Sequence, residues 1–137
     1  MMTTGKVAYW LSTVLLCLIY AAGAAAYVFQ RPMVEEGFGH FGYPAYLVTV
    51  LIAAKIAAPL VILSRVLVRL SDLAYAGMLF HLLLAISAHL NAGDEGFFAP
   101  VFALALLIVS FLTQNSARKT ASPNVPIFEL RQTRERT

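Results

Sequence analysis

Four long apolar runs, separated by short polar breaks, set the pattern of this chain. They cover residues 7–29, 44–64, 73–91 and 97–115. Each is close to the ~20 residues that a helix needs to cross a hydrocarbon core. Arg31-Pro32 ends the first run, Arg65 and Arg69 lie after the second, and the acidic turn AGDEG at 92–96 follows the third. Ser71 and Asp72 are N-cap residue types and predict the start of the third helix. Pro100 falls within the first turn of the fourth, where a missing N–H is tolerated. The pattern predicts an all-α integral membrane four-helix bundle over residues 1–117 and a flexible basic tail over 118–137.

Two stretches admit a second interpretation. Lys6, the apolar core after it and the run AAGAAA imitate a secretory signal with its cleavage site. The length of the run and its aromatic anchors, Tyr9 and Trp10 at one end and Tyr27 at the other, favour a span. Its alanines and Gly23 then form a surface on which helices approach closely. Residues 30–43, QRPMVEEGFGHFGY, are too polar to span and too apolar for an ordinary loop. They predict a short interfacial cap over the mouth of the bundle, with a solvated loop as the alternative.

Composition agrees with the pattern: 60% of residues are hydrophobic and 12% charged, and the mean hydropathy is +0.76. The charges add an orientation. Short connections make successive helices antiparallel, so the N-terminus, the 65–72 connection and the tail share one side. Eight of the ten basic residues lie there, while Glu35, Glu36, Asp94 and Glu95 lie on the other side. The positive-inside rule then puts both termini in the cytoplasm. The net charge of +3 is therefore an orientation signal and a possible attraction to membrane lipids, and it does not point to nucleic acid. The single cysteine, Cys17, excludes an internal disulfide and a cysteine-built metal site.

Lys55 is the one charge inside a span, and Pro59 four residues later cannot donate to its carbonyl. A lysine at the bilayer centre costs at least about 2.5 kcal/mol on insertion scales, so it faces the bundle interior and needs partners. His81 lies near the middle of the antiparallel third span and is its expected companion, because a neutral imidazole accepts a hydrogen bond from an ammonium. His89, eight residues on, is about 12 Å further along the axis and about 80° around it, beneath the cap. Ser87, Asn91, Tyr43 and the pair Glu35/Glu36 are placed to line the same mouth. A structural lysine and satisfied bundle histidines account for the same residues. Haem and metal sites, with His40 and His89 as ligands, find no supporting spacing.

An ordered set of short motifs carries a resemblance. Tyr9-Trp10 and Ser12-Thr13 are followed by Val34-Glu35-Glu36-Gly37-Phe38 with His40, by Gly42-Tyr43-Pro44-Ala45-Tyr46, and by Ala54-Lys55 with Pro59-Leu60. Ala74-Tyr75-Ala76-Gly77, Phe80, Ser87-Ala88-His89, Gly93-Asp94 and Ser110-Phe111 complete it. Together these resemble the DoxX-like family of small bacterial four-helix membrane proteins, although Leu73 stands where that family often has tryptophan. The resemblance implies an inner-membrane protein. It also implies a link to redox complexes, since similar proteins are named for a subunit associated with a thiosulfate–quinone oxidoreductase. The expected function is a redox-linked subunit that binds a quinone or other lipid-like, apolar molecule through Lys55, His81, His89, Asn91 and Tyr43. No cofactor is encoded, so electrons would come from a membrane redox partner; a homo-oligomer is a further expectation. The alternatives are a cofactor-free isomerase or cyclase, using Lys55, His81, His89, Glu35 or Glu36 as acid and base, and a non-enzymatic assembly protein.

Overall fold

The computed structural model describes residues 2–126; the basic residues Arg131, Arg134 and Arg136 of the expected tail lie outside them. Helix α1 spans Thr4–Phe29, α2 Arg31–His40, α3 Tyr46–Ser64, α4 Val68–Ala92 and α5 Phe98–Thr113. Short 3-10 turns, Glu95–Phe97 and Gln114–Ser116, flank α5. Helices α1, α3, α4 and α5 with its flanking turns are each long and apolar enough to cross a membrane. They pack as a square: α1 and α4 each touch both α3 and α5, and lie diagonally opposite one another.

The helix ends follow local chemistry, with some departures from the pattern. Thr3 caps α1 through a bond accepted from the Lys6 N–H at 3.4 Å. Proline at the start of α2 is tolerated because its N–H would have no helical partner. The expected cap over 30–43 is thus mostly a ten-residue helix. Helix α4 begins at Val68, earlier than Ser71-Asp72 predicts. Both side chains make tertiary bonds in place of capping. Ser71 Oγ donates to Val61 O at 3.4 Å, and Asp72 Oδ2 accepts from Ser122 Oγ at 2.7 Å and from Asn124 at 2.9 Å. The same bonds fold residues 118–126, the described part of the expected tail, back onto the bundle as a strap, with Ser122 and Val125 buried. Helix α3 runs unbroken through a buried Pro59 and ends at Arg65, whose left-handed φ of 56° is costly for a residue with a Cβ. The Arg65 guanidinium lies over the Trp10 ring at 5.2 Å.

The core is a thin axis of Leu16, Tyr20, Ile62, Tyr75, Met78, Leu82, Ala103 and Leu107. Outward faces carry large exposed apolar side chains such as Leu11, Leu18, Leu60, Phe80 and Phe102, as a lipid solvent requires. Lipid gives apolar packing between helices little driving force, so interhelical hydrogen bonds and close packing hold the bundle. One such network crosses it: Ser110 Oγ lies 2.7 Å from Thr13 Oγ1 and 2.7 Å from the Tyr75 hydroxyl. It joins α1, α4 and α5 through one serine.

Candidate functional site

Lys55 sits midway along α3, nine residues from either end. Its side chain crosses to α1, where Gly23 makes room: a Cβ on that glycine would stand 3.2 Å from the Lys55 ammonium. Tyr20 and Tyr27, two helical turns apart on the same face of α1, flank the gap. Their ring centroids lie 5.2 and 4.9 Å from Nζ. Two aromatic faces are the ammonium's partners, each worth ~0.5–2 kcal/mol depending on desolvation. Among the described residues no carboxylate pairs with it.

The expected direct companionship of Lys55 and His81 is therefore mediated. Tyr20 stands between them, with its ring beneath the ammonium and its hydroxyl 3.0 Å from His81 Nδ1. The hydroxyl also reaches Met78 O at 3.5 Å. Two proton arrangements satisfy the pair: Tyr20 O–H donates to Nδ1, or Nδ1–H donates to Tyr20 while the hydroxyl donates to Met78 O. Either way His81 Nε2 is left for another partner. Tyr20, Lys55 and His81 line a cavity of about 300 Å³ between α3 and α4 whose other walls are mainly small or apolar, among them Ala54, Ala58 and Gly77.

A second cavity of about 400 Å³ adjoins the first at Leu51, Gly77 and His81 and opens beneath α2. Phe38, Phe41, Tyr43 and His89 line it. The cap side is aromatic: Phe38 meets Tyr27 edge-on at 5.9 Å, and Phe41 meets His89 at 5.0 Å. His89 is clamped. Its Nδ1 lies 2.6 Å from Asp94 Oδ1, which also accepts the Gly96 N–H at 2.7 Å. That N–H bond first, and the imidazole with it, hold the Asp94 carboxyl below the usual carboxylate range. An ionised Asp94 accepts a hydrogen bond from Nδ1–H, so Nε2 of the neutral ring presents its lone pair. Gly96 is needed here: a Cβ would stand 2.5 Å from the imidazole.

The structure thus gathers Lys55, His81, His89 and Tyr43 along two adjoining cavities. It leaves the other candidates outside. Glu35 pairs with Arg31 at 2.7 Å, and Arg31 also donates to Thr49, tying α2 to α3. Glu36 and Asn91 are exposed and line neither cavity. Asn91 fails because α4 carries it past the cavity mouth to an exposed position in the last turn. The contributions that sequence reasoning missed are those of Tyr20 and Tyr27. The available signal was their seven-residue spacing about Gly23 on the small-residue face.

Comparison with known proteins bears on the same segments. No curated protein and no solved structure matches the chain. A model of the DoxX-like family matches residues 11–112, a span that contains Tyr20, Tyr27, Lys55, His81, His89 and Asp94. Four spanning helices and this match identify a multi-pass membrane protein, and the chain belongs to the DoxX-like family.

Proposed function

We propose that this protein is a redox-linked membrane subunit that binds a quinone or another apolar molecule bearing a carbonyl or hydroxyl, in the two cavities between α3 and α4. The observation that carries the proposal is the lysine. A cation at mid-bilayer depth, held by two aromatic faces with no carboxylate partner among the described residues, has donors left for an oxygen ligand. Apolar walls with a few convergent polar groups are the usual make-up of a small-molecule site. Lys55 and His81 would bond the polar head of the ligand, and His89 would meet it at the mouth under α2. Electrons would reach a quinone from a partner protein in the inner membrane, with both termini of this chain on the cytoplasmic side.

The test is quinone binding by the purified protein in lipid nanodiscs, followed through quenching of its tryptophan and tyrosine fluorescence. Saturable binding that weakens at least tenfold in Lys55→Met supports the proposal. Binding that is absent, or indifferent to Lys55→Met, removes it. One observation favours a second function, a cofactor-free acid–base enzyme: His89 is held by Asp94 with Nε2 free to take a proton. Turnover of an apolar carbonyl substrate without any electron donor, lost in His89→Gln, would select it.

A further inference from the structure

The opposite end of the bundle holds a second polar site, remote from Lys55. The Thr13–Ser110 hydrogen bond joins antiparallel helices, so its neighbours can be placed by stepping along each. One turn toward the start of α1 is Tyr9, and one turn toward the end of α5 is Gln114; the two residues face each other across the same seam. Both are 0% exposed. The Tyr9 hydroxyl and both ends of the Gln114 amide are buried without a hydrogen-bond partner. Arg118 follows in the strap, and all three of its guanidinium nitrogens are likewise buried without a partner. Tyr75 lies within electrostatic range of both Tyr9 and Arg118.

Leaving a buried polar group unpaired costs about 1–3 kcal/mol, and more for a charge. A hydroxyl, an amide and a guanidinium are not collected in this way to stay empty-handed. A guanidinium presents a planar fork of donors matched to an oxyanion. The Tyr9 hydroxyl and the Gln114 amide nitrogen add further donors. Asp72 accepts from Ser122 and Asn124 through Oδ2, its Oδ1 is also buried without a hydrogen-bond partner, and among the described residues no ion pair joins it to Arg118. The Asn115 side chain is bonded to the backbone N–H and carbonyl of Ser122 at 2.8 and 3.0 Å, which holds the strap over this end. From this geometry we propose that Tyr9, Gln114 and Arg118 form a binding site for a phosphate-type oxyanion, closed by the strap at the membrane surface.

The oxyanion has two sources, the head group of an anionic phospholipid or free phosphate. Gln114 Oε1 distinguishes them chemically, because it needs a donor: a monoprotonated phosphate brings a P–OH, and a phosphodiester would need a water beside it.

The experiment uses the full-length protein. Thermal stability is followed in nanodiscs of neutral phosphatidylcholine against sodium phosphate, with sodium chloride at matched ionic strength as reference. A parallel series replaces one fifth of the lipid by phosphatidylglycerol. Stabilisation in either series, with an apparent affinity at least tenfold weaker in Arg118→Met and unchanged in Lys119→Met, supports the site. Which series responds names the source. Tyr9→Phe keeps the ring and is expected to weaken the response several-fold, so the test survives if Arg118→Met does not fold. No response in either series, or an equal response in Arg118→Met and Tyr9→Phe, overturns the proposal and leaves water as the occupant.

Discussion

Tyr20→Phe isolates one link in the chain from Lys55 to His81. The substitution removes the hydroxyl and keeps the ring. The aromatic face 5.2 Å from the Lys55 ammonium survives, and the 3.0 Å bond to His81 Nδ1 is lost. The 3.5 Å approach to Met78 O is too long to add much. A buried unpaired group in water-soluble proteins costs about 1–3 kcal/mol. Interhelical side-chain bonds in lipid average about 0.6 kcal/mol with a maximum near 1.7, because the separated helices also find partners. The lipid figure applies, so a loss of about 0.6–1.7 kcal/mol is expected. Tyr20→Leu should lose a further ~0.5–2 kcal/mol as the cation–π face goes. That extra loss should vanish when Lys55→Met is already present, since the two substitutions then share one interaction. Reversible unfolding in bicelles measures the wild type, the single variants and the two Tyr20 variants combined with Lys55→Met, and nitrogen NMR of the imidazole reports the His81 tautomer. If Tyr20→Phe matches the wild type in stability and leaves the His81 resonances in place, Tyr20 does not mediate between the two groups. Additive losses for Tyr20→Leu and Lys55→Met would dismiss the stacked cation.

Three further outcomes are expected. In Gly96→Ala the new Cβ should displace the imidazole it would meet at 2.5 Å, changing the His89 resonances while far-ultraviolet circular dichroism is unaltered. Because the folded Asp94 carboxyl titrates below its ordinary value near 3.8, its contribution is present above that value and lost as pH falls through the lowered one. The His89 tautomer should accordingly be insensitive to Asp94 ionisation between about pH 5 and 8, above the range in which a carboxylate protonates, and Asp94→Asn should abolish its Nδ1–H preference, as read by nitrogen NMR. Ser110→Ala breaks both the Thr13 and Tyr75 bonds. It should lower bicelle stability by about 1 kcal/mol, at roughly 0.6 per interhelical bond, and not by more than about 3.

The bundle was legible in the chain because lipid is a demanding solvent. Each span had to be a long run of apolar residues, and Lys55 stood out against its run as the only charge. The start of α4 was not legible, because Ser71 and Asp72 are as good for tertiary bonding as for capping. Their partners, Val61 and the strap, are distant in sequence. Tyr20 and Tyr27 were hidden for a different reason. A tyrosine inside an apolar run shows no contrast of polarity, and its ring becomes a cation's partner only once α3 is laid against α1. The His89–Asp94 clamp was half visible: both residues stood out, and the turn at Gly93, with φ of 71°, brings them together. Asn91, nearer in sequence to His89, was the more obvious neighbour and is the one that α4 turns away.

The placement of Lys55 has an electrical consequence. In its protonated form it is a single positive charge halfway through the membrane, and no carboxylate among the described residues cancels it. Moving one elementary charge across the whole bilayer is worth about 2.3 kcal/mol per 100 mV, so a site at half depth feels about half of that. A neutral ligand would enter without sensing the transmembrane voltage. An anionic one arriving from the α2 side would gain or lose about 1 kcal/mol with each 100 mV, which makes the energised state of the cell a direct term in its affinity.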